Sequence, residues 1–91
     1  MTAKVYSLKN LQGQALSNWE LWWDNYPKKR KVAKLDAIKA WKQTEYLHPP
    51  IEQMLAILDK HRDSNEWQKD GGAFIPYPAT YLRGGRFLDE I

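Results

Sequence analysis

Ser17-Asn18-Trp19-Glu20-Leu21-Trp22-Trp23-Asp24-Asn25-Tyr26-Pro27-Lys28-Lys29-Arg30-Lys31 is the stretch whose reading decides the fold. Ser17 reads as a helix N-cap, with Glu20 three residues later completing an S-x-x-E capping box. The helix so opened, residues 18–25, places Trp19, Trp22, Trp23 and Tyr26 at i, i+3, i+4 and i+7. A single aromatic stripe at this spacing is first of all core, with Trp19 and Trp23 as its expected centre. Pro27 ends the helix, because a residue preceding proline is pushed out of the α region.

Downstream, residues 28–44 read as a second helix, built almost wholly of good helix formers. Ala33, Ala37 and either Ala40 or Trp41 form a close-packing edge, and Leu35, Ile38 and Trp41 the adjoining apolar face. His48-Pro49-Pro50 is a stop and restart. A third helix over residues 50–68 follows, its buried stripe marked by Ile51, Met54, Leu55, Leu58 and Arg62, with Ile57 flanking. Asp70-Gly71-Gly72 stops it. Phe74-Ile75-Pro76-Tyr77-Pro78 is then extended, and residues 78–83 make one helical turn closed by Gly84-Gly85. Upstream, residues 1–15 form an N-terminal arm, leaving 16–91 as a single small domain. The expected fold is all-α: a three-helix bundle with a C-terminal aromatic/proline loop and a short fourth helical turn.

Composition narrows the function. The 91 residues are 43% hydrophobic and 27% charged, in the globular range, with five Trp, five Tyr and two Phe. Large rings are an efficient way to fill the core of so short a chain. The absence of cysteine excludes disulfides, thiol catalysis and zinc–thiolate sites, and suits a reducing cytoplasm. No apolar run approaches the roughly 20 residues of a membrane span, and no secretory signal opens the chain. The net charge of +3 is unevenly spread. Residues 28–42 hold seven basic side chains against one acidic, Asp36, a balance of +6; the remainder carries −3. Such a segment attracts nucleic acid, an anionic membrane or an acidic protein surface, although a merely solvated helix face would look the same. The cluster sits at a helix N-terminus, where the macrodipole disfavours cations, which hints at a use.

Catalytic chemistry is hard to find. His48 and His61 stand in no zinc-binding spacing. Asp59, Asp63 and Glu66 recur at i, i+4 and i+7 but read as a solvated face. No phosphate-binding glycine motif is present, and Ser7, Ser17 and Ser64 lack a neighbouring base. The sequence points to a protein that is not an enzyme and takes no metal, cofactor or small-molecule substrate.

Three segments together resemble a known family. They are Trp22-Trp23-Asp24-Asn25-Tyr26-Pro27-Lys28 with Ala37, Ala40 and Trp41; Trp67 with Gly71; and Phe74-Ile75-Pro76-Tyr77-Pro78-Ala79-Thr80-Tyr81-Leu82 with Arg86-Phe87. In that order they resemble the C-terminal module of phage and prophage replication initiators, the replisome organisers. Tyr77 stands where that pattern has His, Tyr81 and Phe87 where it has Trp, and Arg83 where it has Asn. The origin-binding winged-helix domain of that family is not part of the resemblance, so the expectation is a stand-alone phage-type relative or a piece of a longer protein. The resemblance implies work at a replication start in a bacterial host's cytoplasm, with single-stranded DNA, the replicative helicase or its loader as partners.

The residues support a binding role of that kind. Lys28, Lys29, Arg30, Lys31 and Lys34 supply charge for phosphates and Tyr26 a ring for stacking. Tyr77, Tyr81, Arg83 and Arg86 extend the surface if the C-terminal loop folds back on the second helix. The alternative is a small phage protein that binds and inhibits a host machine, a helicase loader or a defence system, through the same basic and aromatic residues.

Overall fold

The aromatic stripe is carried by a helix longer at its start than Ser17 foretells. The computed structural model describes residues 13–89, and its first element, α1, is Gly13–Asn25. Ser17 therefore lies inside a helix rather than capping one. Gln14, Ala15 and Leu16 are good helix formers that carry the helix past it, and Gly13 supplies the positive φ of 57° at its start. The last three residues of the expected arm thus belong to α1, while residues 1–12 lie outside the described residues.

The chain continues through α2 (Lys34–Thr44), α3 (Ile51–Arg62), α4 (Asn65–Gln68) and α5 (Pro78–Arg83), with 3₁₀ turns at Lys28–Arg30, Glu45–Leu47, Lys69–Gly72 and Arg86–Leu88. The domain is all-α, with five α-helices and no strand among the described residues. Two of the expected helices are shorter. The basic run does not open α2: residues 28–30 form a separate 3₁₀ turn, and Ala33 in the left-handed region (φ 55°) divides it from the helix. Likewise the third helix is two. Ser64 is extended, accepts a hydrogen bond from the Trp67 backbone N–H at 3.3 Å, and caps α4 as a new start. No helix among the described residues is long and apolar enough to cross a membrane.

The core is a contiguous set of rings. Trp22 is fully buried, its centroid 5.0 Å from Tyr26 and 5.7 Å from both Trp41 and Tyr81. Trp67 meets Tyr26 and Tyr81 at 5.9 Å, and stacks on the buried His61 at 5.2 Å. Rings at these separations add to simple area burial. The backbone of α2 comes close to α5 because both contact faces include small residues: Ala37 and Ala40 on one side, Ala79 on the other, all buried.

Three core expectations need correction. Trp22, not Trp23, is the fully buried partner of Trp19; Trp23 stacks on Trp19 at 5.2 Å but remains half-buried. Leu35 and Ala33 are exposed, since α2 turns Ala37, Ile38, Ala40 and Trp41 inward instead. On α3 the buried position after Leu58 is His61, one residue before Arg62. Its Nε2 lies 3.2 Å from the Arg86 carbonyl and 3.3 Å from the Asp89 carboxylate, so a polar ring is accepted there because the tail supplies its partners.

Candidate functional site

Where α1 ends at Asn25, the next residues bend back against a segment more than forty positions later. The Tyr26 hydroxyl donates to the Pro76 carbonyl at 2.7 Å, Lys29 Nζ to the Gly71 carbonyl, and Arg30 Nη2 to the Ala73 carbonyl at 2.7 Å. The carbonyls of three residues of one loop, Gly71, Ala73 and Pro76, are thereby satisfied by side chains. Gly72 makes this approach feasible. At its φ of 88°, an added Cβ would lie 3.1 Å from both Lys29 Cδ and Ile75 Cδ1.

Around this junction, cations lie over aromatic faces. Arg30 sits 5.2 Å from the Tyr77 centroid; Lys31 and Lys34 sit 5.7 Å and 5.9 Å from Trp23; Lys69 sits 4.8 Å from Phe74. Tyr77 is 50% exposed and Phe74 52%, so both residues keep surface that a ligand can reach. Lys34 falls one turn before the buried Ala37 and Ile38, at the start of α2, and its ammonium lies over the Trp23 ring. Lys28 is exposed. Of the expected site, Lys28, Lys29, Arg30, Lys31, Lys34 and Tyr77 thus surround one junction.

The other four residues do not join it as free surface. Tyr26 and Tyr81 are 1% and 0% exposed and cannot stack on a ligand. Burial, in each case the largest cause, holds both phenols protonated beyond the ordinary tyrosine range. The C-terminal segment does fold back on α2, yet it brings Arg83 onto Asp36 at 3.0 Å and Gln43 at 3.1 Å. The hydrogen bond from Arg83 holds the Asp36 carboxyl below the usual range. Arg86 is similarly engaged, by Asp89 at 2.7 Å and Glu66 at 3.7 Å.

Trp23, Lys69 and Phe74 were not singled out as site residues in the sequence. Helical spacing places Trp23 in the core, since it cannot tell the centre of a stripe from its flank. The carboxylates Asp59, Asp63 and Glu66 do not share a helical face, because α3 ends at Arg62. Among the described residues no cluster of three or more His, Cys, Asp or Glu stands ready to hold a metal ion.

Residues 9–85 match the family model of the Legionella vir region protein LvrA C-terminal domain. That match overturns the assignment to the phage replisome organisers and with it the labels that rested on the resemblance: phage, prophage, DNA replication and helicase loading. The misleading signal was the string of aromatic, proline and glycine residues at 71–87, whose rings and turns serve the core of this domain: Tyr81 and Phe87 are fully buried. No curated protein matches the chain, and no solved structure does.

Proposed function

This chain belongs to the family of the Legionella vir region protein LvrA C-terminal domain, and we propose that it is a non-enzymatic module whose basic turn takes hold of a single strand of nucleic acid. The observation that supports the reading is the pairing of cations with half-exposed rings at one junction: Arg30 over Tyr77, and Lys31 and Lys34 over Trp23. A single strand offers phosphates to the ammonium groups and base faces to the rings, and each stacked base contributes about 1–3 kcal/mol. In this reading the three longer helices act as a bundle that holds up the 69–77 loop, and the cytoplasm is where the module works. The helicase and loader partners lose their support with the overturned resemblance.

The test is the fluorescence anisotropy of a labelled single-stranded oligonucleotide and of its duplex, each at two salt concentrations. Binding of the single strand that weakens steeply with salt, and exceeds that of the duplex, is expected. No binding at low salt overturns the reading and directs attention to an acidic protein, for which Val32 and Leu35, 47% and 61% exposed beside the basic turn, would be the apolar contacts.

A further inference from the structure

We infer that the cleft between Pro27 and Arg62 holds one nucleotide of the bound strand, its base bearing an exocyclic amino group. The inference rests on the single-strand reading and specifies what one unit of that strand does. The cleft has a volume of ≈ 370 Å³, at the lower end of the range of about 300–1,000 Å³ typical of small-ligand sites. Its walls differ in chemistry. Pro27 and Ile75, both half-buried, supply apolar surface against the edge of a ring, and Lys29 and Arg62 supply positive charge.

The charged groups keep capacity for a phosphate. The Lys29 ammonium has three donors, of which the Gly71 carbonyl takes one. Arg62 meets Asp59 at 3.5 Å, and both side chains are largely exposed, a weak engagement that leaves most of the guanidinium fork open. Trp67 is 2% exposed, and its indole N–H is buried without a partner among the described residues, so it offers the cleft no donor.

The remaining polar groups select the base. Gln68 donates through Nε2 to the Arg62 carbonyl at 2.5 Å, which leaves its side-chain oxygen as an acceptor. Asp63 brings a carboxylate, an acceptor only when ionised. Two acceptors in one small cleft suit the amino group of adenine or cytosine. They disfavour the carbonyl that uracil or thymine presents at the same position.

The experiment follows backbone amide shifts of the full chain during titration with AMP, UMP and inorganic phosphate in turn. AMP is expected to shift the amides around Gln68, Gly71 and Gly72 saturably, with UMP weaker and phosphate weaker still. Arg62→Gln is expected to lower AMP affinity about tenfold, the loss of one charge-assisted contact, at an unchanged melting temperature. No saturable shift, equal affinity for UMP or phosphate, or an unaffected Arg62→Gln variant would each overturn the inference. A single-stranded A-rich oligonucleotide separates this failure from that of the parent reading. Binding at residues 28–34 with silent Gln68, Gly71 and Gly72 amides sinks the cleft alone. AMP binding without oligonucleotide binding sinks the strand reading and leaves a site for a free nucleotide.

Discussion

The Tyr26 hydroxyl donates to the carbonyl of Pro76 at 2.7 Å, fastening the end of α1 to a residue fifty positions later. The ring that carries this hydroxyl is buried among Trp22, Trp67 and Tyr81. One residue therefore closes the core and sets the height of the loop that carries Phe74 and Tyr77.

Tyr26→Phe keeps the ring and removes the donor. Leaving the Pro76 carbonyl without it is expected to cost about 1–2 kcal/mol. Urea unfolding checks this: the midpoint should fall with the slope unchanged. An unchanged midpoint would mean that water replaces the hydroxyl without loss.

The two adjacent tryptophans separate by burial. Trp22→Ala removes a ring with four aromatic neighbours, Trp19, Tyr26, Trp41 and Tyr81, and is expected to cost about 3–5 kcal/mol. Trp23→Ala takes away a half-buried ring and should cost less than half of that, while weakening oligonucleotide binding. Equal melting temperatures for the two variants would show that burial does not rank them.

The cations of the junction divide in the same way. Lys29 and Arg30 hold the loop, whereas Lys28, Lys31 and Lys34 donate to no loop carbonyl. Replacing those three with Ala should leave the melting temperature in place. It should also flatten the plot of log affinity against log salt by about 2, at roughly 0.7 per phosphate contact on a single strand. The salt series of the wild type and the triple variant reads this directly, and parallel lines would place the phosphates elsewhere.

Acid should loosen the domain through His48. Its ring lies 4.4 Å from Trp41 and 4.8 Å from Phe87, and burial lowers its pKa from 6.5 to about 4. Thr44 Oγ1 gives its single proton to the Ala40 carbonyl at 2.9 Å, so His48 Nε2, 2.9 Å away, is the donor of that pair. Below pH 6.5 the unfolded chain binds a proton that the folded one refuses until about pH 4. The stability from neutral His48 is therefore complete above pH 6.5 and is lost as the pH falls towards 4, by at most about 1.4 kcal/mol per unit. Urea midpoints across that window should fall for the wild type and stay flatter for His48→Gln. A level wild-type profile would show that the folded protein accepts the proton.

Much of the fold was legible because periodicity and backbone chemistry are local. The stripe of Trp19, Trp22 and Tyr26, the proline breaks at 27 and 49–50, and the glycine stop at 71–72 all follow from neighbours in sequence. Errors arose where a local signal had an equally good local rival. Ser17 had a capping partner, but a helical run preceded it. Residues 28–33 had helical propensity, but Ala33 adopts a left-handed conformation that no propensity foretells. The candidate site was legible in charge only: the basic run was plain, while the exposure of its rings was not.

By itself, then, the sequence determined that the domain is helical, aromatic in its core and basic in one segment, because composition and 3.6-residue spacing act on each segment separately. Only the tertiary structure decided which rings face water. Tyr26 and Tyr81 went inward and Tyr77 outward, since burial depends on what the rest of the chain stacks against a ring. It also decided which cations stay open: Arg83 met Asp36, forty-seven residues away, and Lys29 met Gly71. Those pairings are made by the packing of α5 on α2 and of the 69–77 loop on the end of α1, distances in space that no spacing along the chain encodes.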